Sequence, residues 1–299
     1  MRGILPGNMG RNEGLIQVSV VIPTYNRASA LKWALDSVLK QEGPSFEILV
    51  VDDGSTDETR PLVEGAPSLK VQTQYFYQTN KGPSAARNLG IQHAHGRFIA
   101  FLDSDDEWLP GKLKAQLDFF ERNPDSLICQ TEEIWIRGGR RVNPMNKHKK
   151  QGGFIFERCL AFSVVSPSAV MMRREFFDEV GLFDESLSGC EDYDLWLRAS
   201  ARFPIGLIDK AFVVKYGGHA DQLSRRLPIM DQYRIRSLLK FLRAQDGTEK
   251  QKELAAKELI RKSKIVSNGA WKRGKEKEAQ SYGEVIREAE AFVYQTHHL

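Results

Sequence analysis

Cysteine is scarce: Cys129, Cys159 and Cys190 are the only three in 299 residues, and they stand far apart with no C-x-x-C pair. An odd, scattered set suggests neither a disulfide framework nor a structural zinc site, and fits a reducing, cytoplasmic setting. Long hydrophobic runs are missing too. Nothing approaches the ~18 apolar residues that a membrane-spanning helix needs, and Met1 to Gly14 is rich in Gly and Asn, without the apolar core of a signal peptide. The expectation is a flexible tail over residues 1–17, no transmembrane segment, and contact with a membrane only from its inner face. A large charge of one sign is absent as well. The formal net charge is +4, so any attraction to an anionic partner must come from a local patch, and nucleic acid is not an expected partner. Finally, G-x-G-x-x-G and G-x-x-x-x-G-K-[ST] occur nowhere, which removes the dehydrogenase and P-loop readings.

What is present is a strand-helix alternation. Val18 to Ile22 is a short apolar run, followed by Leu31, Ala34, Leu35, Val38 and Leu39 at helical spacing. Phe46 to Val51 reads as a second strand, after which Ser55 and Glu58 have the spacing of a capping box for a short helix. Leu69 to Tyr77 predicts a third strand, Ser84 to His93 a helix, and Phe98 to Leu102 the most apolar strand of the chain. Strands apolar on both faces that alternate with helices imply an α/β fold with a mostly parallel central sheet flanked by helices. Arg137 to Lys150 is basic and Gly-containing without one acid, and reads as a mobile loop that could attract an anionic acceptor. Val164 to Met172 predicts another strand, and Asp192, Leu195, Trp196 and Ala199 a helix with an acidic start. From residue 226 to 299 the pattern is helical, giving a C-terminal extension to a main domain over 18–225.

In such sheets ligands bind beyond the carboxyl ends of the strands. Those positions here are Pro23-Thr24-Tyr25-Asn26-Arg27, Asp52-Asp53-Gly54-Ser55 and Asp103-Ser104-Asp105-Asp106. If the extended backbone continues past Leu102, Asp103 and Asp105 point the same way, and two such carboxylates suit a hard divalent cation, Mg²⁺ or Mn²⁺. The bland alternative is that these acids cap the next helix. Crowding of Asp103, Asp105, Asp106 and Glu107 weighs against it, because their mutual repulsion asks for a counter-cation. Lys81 and Arg87 carry positive charge suited to a diphosphate.

Taken together these motifs resemble family 2 of the inverting glycosyltransferases, with the GT-A fold. The matching segments are Pro23 to Arg27, Asp52 to Asp57, Asn80-Lys81-Gly82 with Ala86 to Gly90, the Asp103 to Asp106 cluster, and Glu191 to Trp196. The resemblance implies a nucleotide-diphospho-sugar donor, UDP-linked by expectation, and a glycan or lipid-linked acceptor in polysaccharide or glycolipid assembly. Pro23, Tyr25 and Asp53 would hold base and ribose, with Thr24, Arg27, Lys81, Arg87, Asp103 and Ser104 also binding the nucleotide-sugar. Asp105, shared with Asp103, would bind Mn²⁺ or Mg²⁺, and His219 resembles a late His that can join that site. Asp192 would be the catalytic base, with Glu191 beside it; the residues themselves leave Glu191 and Asp194 open for that role. Two other functions stay in competition: a nucleotidyltransferase making nucleotide sugars, and a non-catalytic sugar-nucleotide or carbohydrate-binding scaffold.

Overall fold

The computed structural model of the chain describes residues 16–65, 71–143, 145, 148–218, 230–244 and 247–296. Its frame is β1 (Val18–Thr24), β2 (Phe46–Asp52), β3 (Gln72–Tyr77) and β4 (Phe98–Phe101), paired in parallel in the order β3-β2-β1-β4. The central strands are apolar because both faces are covered. Val20, Ile22, Ile48 and Val50 pack on one side, with Leu31, Ala34, Leu35 and Val38 of α1 (Ala28–Leu39). Val21, Leu49, Val51, Ile99 and Phe101 pack on the other, in one cluster with Ala86 and Ile91 of α3 (Pro83–His93). Each fully buried Val, Leu, Ile or Phe among them stabilises the fold by about 1.5–3 kcal/mol. A close approach of α3 to β1 depends on Gly90, where an added Cβ would lie 2.3 Å from Val21 Cγ1.

The second half of the sheet is mixed. It follows β4 in the order β8 (Val170–Arg173), β6 (Ile128–Arg137), β9 (Gly206–Gly217) and β5 (Asp106–Trp108), with β7 (Arg140–Val142) paired to β6. Strand β8 runs antiparallel between β4 and β6, β9 lies parallel to β6, and β5 returns antiparallel on β9. Helices α4 (Lys112–Arg122), α5 (Phe156–Ala161), α6 (Glu175–Val180) and α7 (Glu191–Arg202) complete the layers.

Three expectations need correction. Helix α2 (Thr59–Glu64) does not begin with a box at Ser55 and Glu58. Instead Asp57 Oδ1 accepts from the Thr59 N–H at 3.1 Å and from its hydroxyl at 2.5 Å, while Ser55 Oγ accepts from Asn26 N at 2.8 Å and ties two loops together. Arg137 to Lys150 is not one loop: it opens with the hairpin of β6 and β7, turning at Gly138 and Gly139, and Lys150 is buried, 3.2 Å from Glu133 Oε2. The predicted strand over 164–172 is a 3₁₀ turn at Pro167–Ala169 followed by β8.

The C-terminal helices α8 (Met230–Arg243), α9 (Glu249–Lys272) and α10 (Glu276–Thr296) follow the helical pattern, and a Thr248–Gln251 capping box opens α9. They are packed onto the α/β unit: Tyr233, Leu238 and Phe241 share one cluster with Phe156 and Leu160 of α5 and Tyr193 and Leu197 of α7. The expected boundary near 225 and nearly all of the expected tail fall outside the described residues. Among those described, no helix is long and apolar enough to cross a membrane.

Candidate active site

The carboxyl ends of β1, β2 and β4 open into a cavity of about 1020 Å³, walled on the far side by α7 and the end of β9. Pro23, Thr24, Tyr25, Arg27, Asp53, Lys81, Arg87, Asp103, Ser104, Asp105, Glu191 and Asp192 all line it. Of the predicted site residues only His219 is missing, and it lies outside the described residues.

The acid cluster reaches the cavity by a route other than strand alternation. Asp106 N donates to Asp103 O at 2.9 Å, so the chain turns after β4 rather than staying extended. Asp103 and Asp105 each meet an arginine. Arg27 Nη1 donates to Asp105 Oδ2 at 2.5 Å, and Arg87 Nη2 donates to Asp103 Oδ1 at 2.7 Å. Arg87 is buried, and its Nη1 donates to Glu191 Oε1 at 2.7 Å, so one guanidinium joins the β4 rim to the start of α7. Burial alone would lift Asp103, but the Arg87 charge, with Lys215 and Arg27, outweighs it and holds the carboxyl below its ordinary range. Burial lifts Glu191 above its range in spite of Arg87, with the Asp192 charge adding to the effect.

Asp106 does not cap the next helix; it starts strand β5. It is buried, accepts from Ser168 Oγ at 2.6 Å, and lies 3.6 Å from the Lys215 ammonium. Burial, reinforced by Asp103 and Asp105 against the pull of Lys215, pushes its carboxyl up to about 8. Lys215 on β9 also donates to Ser166 Oγ at 3.0 Å. Nothing local in the sequence marks it, because its register opposite Asp106 arises from a pairing between distant segments. Glu185, Ser188 and Met230 are further lining residues that the motifs did not reveal.

On the β2 rim, Asp53 accepts from Gln78 Nε2 at 2.7 Å, Lys81 N at 2.8 Å and Gly82 N at 2.8 Å. It therefore fixes the entry to α3, and of the four lone-pair sites of a carboxylate one remains for a ligand. The Lys81 side chain is exposed. Tyr25 is 40% exposed at the mouth, its ring open to stacking. Thr24 Oγ1 and Arg87 Nε are buried without a hydrogen-bond partner among the described residues. Asn26 and Cys190, the two described non-glycine residues in the left-handed region (φ 51° and 56°), both line the cavity. Such conformations cost about 1–3 kcal/mol and gather at functional sites.

The three acids of α7 are separated by their surroundings. Asp194 is buried away from the cavity, with Arg198 at 2.9 Å and Lys240 at 3.3 Å. Glu191 is held by Arg87. Asp192 is half-buried and faces the cavity, its Oδ2 accepting from Ser163 Oγ at 2.7 Å.

The mixed sheet, with an acidic cavity at the carboxyl ends of its parallel strands, is an α/β fold of the GT-A type. Residues 19–181 match Glycosyl transferase family 2, and the chain belongs to that family. An uncharacterized glycosyltransferase of Rickettsia felis is 37% identical over 194 residues, which are 65% of this chain and 32% of that protein. The chain thus spans about a third of the length of the Rickettsia relative. The UDP-Glc:alpha-D-GlcNAc-diphosphoundecaprenol beta-1,3-glucosyltransferase WfgD of Escherichia coli is 31% identical over 204 residues, 66% of this chain and 74% of that one. A crystal structure of S. aureus TarS 1-349 in complex with UDP-GlcNAc superposes with a TM-score of 0.74 at 23% identity, covering 93% of this chain and 84% of that one. It has the same fold.

Proposed function

We propose that the chain is a glycosyltransferase that moves a sugar from a UDP-sugar to the hydroxyl of a glycan or lipid-linked acceptor, with inversion, in polysaccharide or glycolipid assembly. The observation that carries this reading is Arg87, which sets the carboxylates of the β4 turn and those of α7 on two sides of one cavity. WfgD, a UDP-Glc transferase by name, and TarS, crystallised with UDP-GlcNAc, support the donor class; the diphosphoundecaprenol acceptor in the name of WfgD supports a lipid-linked one.

The fit to Mn²⁺ or Mg²⁺ rests on charge. Among the lining residues Arg27, Lys81, Arg87 and Lys215 face a larger set of acids even with the raised Asp106 set aside, namely Asp53, Asp103, Asp105, Glu185, Glu191 and Asp192. A cavity with excess negative charge repels a diphosphate unless a cation accompanies it. No group of three or more His, Cys, Asp or Glu among the described residues could hold a metal ion. One or two carboxylates are enough for a cation that takes its remaining ligands from phosphate and water. Asp105 and Asp103 would hold it. When bound, the metal neutralises charge that builds on the departing diphosphate.

The chain's own residues do the rest. Tyr25 stacks on the base, and Asp53 accepts a hydrogen bond from its imide N–H through the lone pair that α3 leaves free. Asp192, oriented by Ser163, takes the proton of the acceptor hydroxyl while that oxygen bonds to the anomeric carbon. The bond from that carbon to the phosphate oxygen breaks on the opposite side, its electron pair leaving with UDP, which inverts the centre. General-base help of this kind is worth about 10²- to 10⁴-fold.

The test is donor hydrolysis across a panel of nucleotide sugars, with Mn²⁺, with Mg²⁺ and with chelator, in wild type, Asp105→Ala and Asp192→Asn. The expected outcome is a preference for a UDP-sugar, metal dependence, and loss of turnover in both variants. Equal rates in wild type and Asp105→Ala would sink the metal assignment, and release of pyrophosphate instead of sugar would sink the reaction class.

A further inference from the structure

The β6–β7 hairpin carries charge that the cavity does not use. Arg137, Arg140 and Arg141 are exposed, and among the described residues none has a carboxylate partner. The guanidinium of Arg137 lies over the Trp135 ring at 5.6 Å. The turn between the strands is Gly138-Gly139, with φ of 54° and 72°; two successive left-handed residues make the tight hairpin turn that matches strand twist. The tip is therefore a defined, narrow projection.

Register sets where the charges point. Arg137 pairs with Arg140 and Ile136 with Arg141. Successive side chains of a strand face opposite sides, so Arg137 and Arg140 share one face of the hairpin and Arg141 takes the other. Register also ties the tip to the cavity: Arg137 stands opposite Gly217 on β9, one residue beyond the lining residue Tyr216. A cationic projection thus rises beside the mouth of an acidic cavity.

We propose that this hairpin docks the protein on an anionic phospholipid surface, its guanidinium groups binding headgroup phosphates. Arginine's planar fork suits phosphate oxygens. A polyanion lying against the protein would meet one face of the hairpin. A tip set among headgroups meets phosphate on both, which is how the three arginines are arranged. The inference rests on the reading that the acceptor is lipid-linked: docking at this point brings the cavity mouth to the bilayer, where such an acceptor presents its sugar.

The experiment is flotation of the whole chain with vesicles of phosphatidylcholine alone, and of phosphatidylcholine with ~30% phosphatidylglycerol, comparing wild type with Arg140→Gln/Arg141→Gln. Each arginine near an anionic surface contributes about 5-fold to partitioning, so the double variant should bind the anionic vesicles about 30-fold more weakly. Wild-type binding should need phosphatidylglycerol and fade as salt is raised. Equal binding by the two proteins, binding to phosphatidylcholine alone, or no wild-type binding would overturn the proposal. So would preference for a soluble polyanion such as heparin or RNA over the vesicles. Donor hydrolysis in the same preparations separates the two readings. Turnover without vesicle binding removes the docking surface and leaves the transferase; vesicle binding without turnover does the reverse.

Discussion

Replacing Lys112 by Met should flatten the stability of the protein against pH on the alkaline side. Lys112 is fully buried at the start of α4, donates to Gln116 Oε1 at 2.6 Å, and lies over the Trp108 ring at 4.0 Å. No carboxylate among the described residues pairs with it. Burial dominates its environment and pulls the ammonium down from the usual 10.5 to about 7. The sign follows from proton counting. Between about pH 7 and 10.5 the unfolded chain still binds this proton and the folded chain has released it, so stability rises with pH across that window. A shift of this size corresponds to ~5 kcal/mol in full. The Trp108 face stabilises the charged form by ~2 kcal/mol, which moves the folded value back up. The net gain for wild type between pH 7 and 10 is then ~2–3 kcal/mol. The buried thiols, such as Cys129 pushed up to about 12, act in the opposite direction above pH 8, but they are common to both proteins. Urea unfolding of wild type and Lys112→Met at pH 7, 8, 9 and 10 isolates the lysine as the difference between the two curves. Parallel curves would refute the reasoning and mean that Lys112 keeps its proton throughout.

Three further outcomes are expected. Arg87→Met leaves the buried Glu191 and the part-buried Asp103 without their shared partner and should cost about 3–5 kcal/mol in urea unfolding; a loss below ~1 kcal/mol would mean that the two carboxylates do not depend on it. Gly90→Ala drives a methyl into Val21 where the gap is 2.3 Å, and should lower stability by about 1–3 kcal/mol, with an unchanged melting temperature as the contrary result. Lys240→Met removes the ammonium that bridges Asp184 at 2.6 Å and Asp194 at 3.3 Å, bracing both ends of the segment that presents Glu191 and Asp192. It should reduce kcat about 10-fold with little change in donor affinity, and a change confined to KM would count against it.

Much of this fold can be read from residue patterns, and the exceptions have a common cause. Strands β1, β2 and β4 announce themselves because both faces are buried, and α1 and α7 because their apolar residues recur at helical spacing. Strand β5 does not, since Asp106-Glu107-Trp108 is three residues long and begins with two acids. Its pairing with Val213 to Lys215 joins segments more than a hundred residues apart, and no local pattern encodes that. The rims of the site were legible as polar clusters after apolar strands, whereas Lys215 became visible only with the sheet closed. The Gly-Gly turn of the hairpin was a local signal, outweighed by the basic composition around it. Asp192, Glu191 and Asp194 are alike in sequence and differ only in what surrounds them: Ser163, Arg87, and the pair of Arg198 and Lys240.

The guanidinium of Arg87 is a flat, rigid body, and it grips Asp103 and Glu191 on two different nitrogens. Those two carboxylates are contributed by parts of the chain that meet only when the sheet is complete, yet a single side chain fixes their spacing as a gauge block fixes a gap. Under the proposed reaction, the side where the diphosphate departs and the side where the acceptor attacks would be aligned before either substrate arrives. Mutual orientation of reacting groups can account for several kcal/mol of a bimolecular barrier. Here that alignment would be a product of folding, and a change at Arg87 that leaves every other lining residue untouched would return the search for it to the substrates.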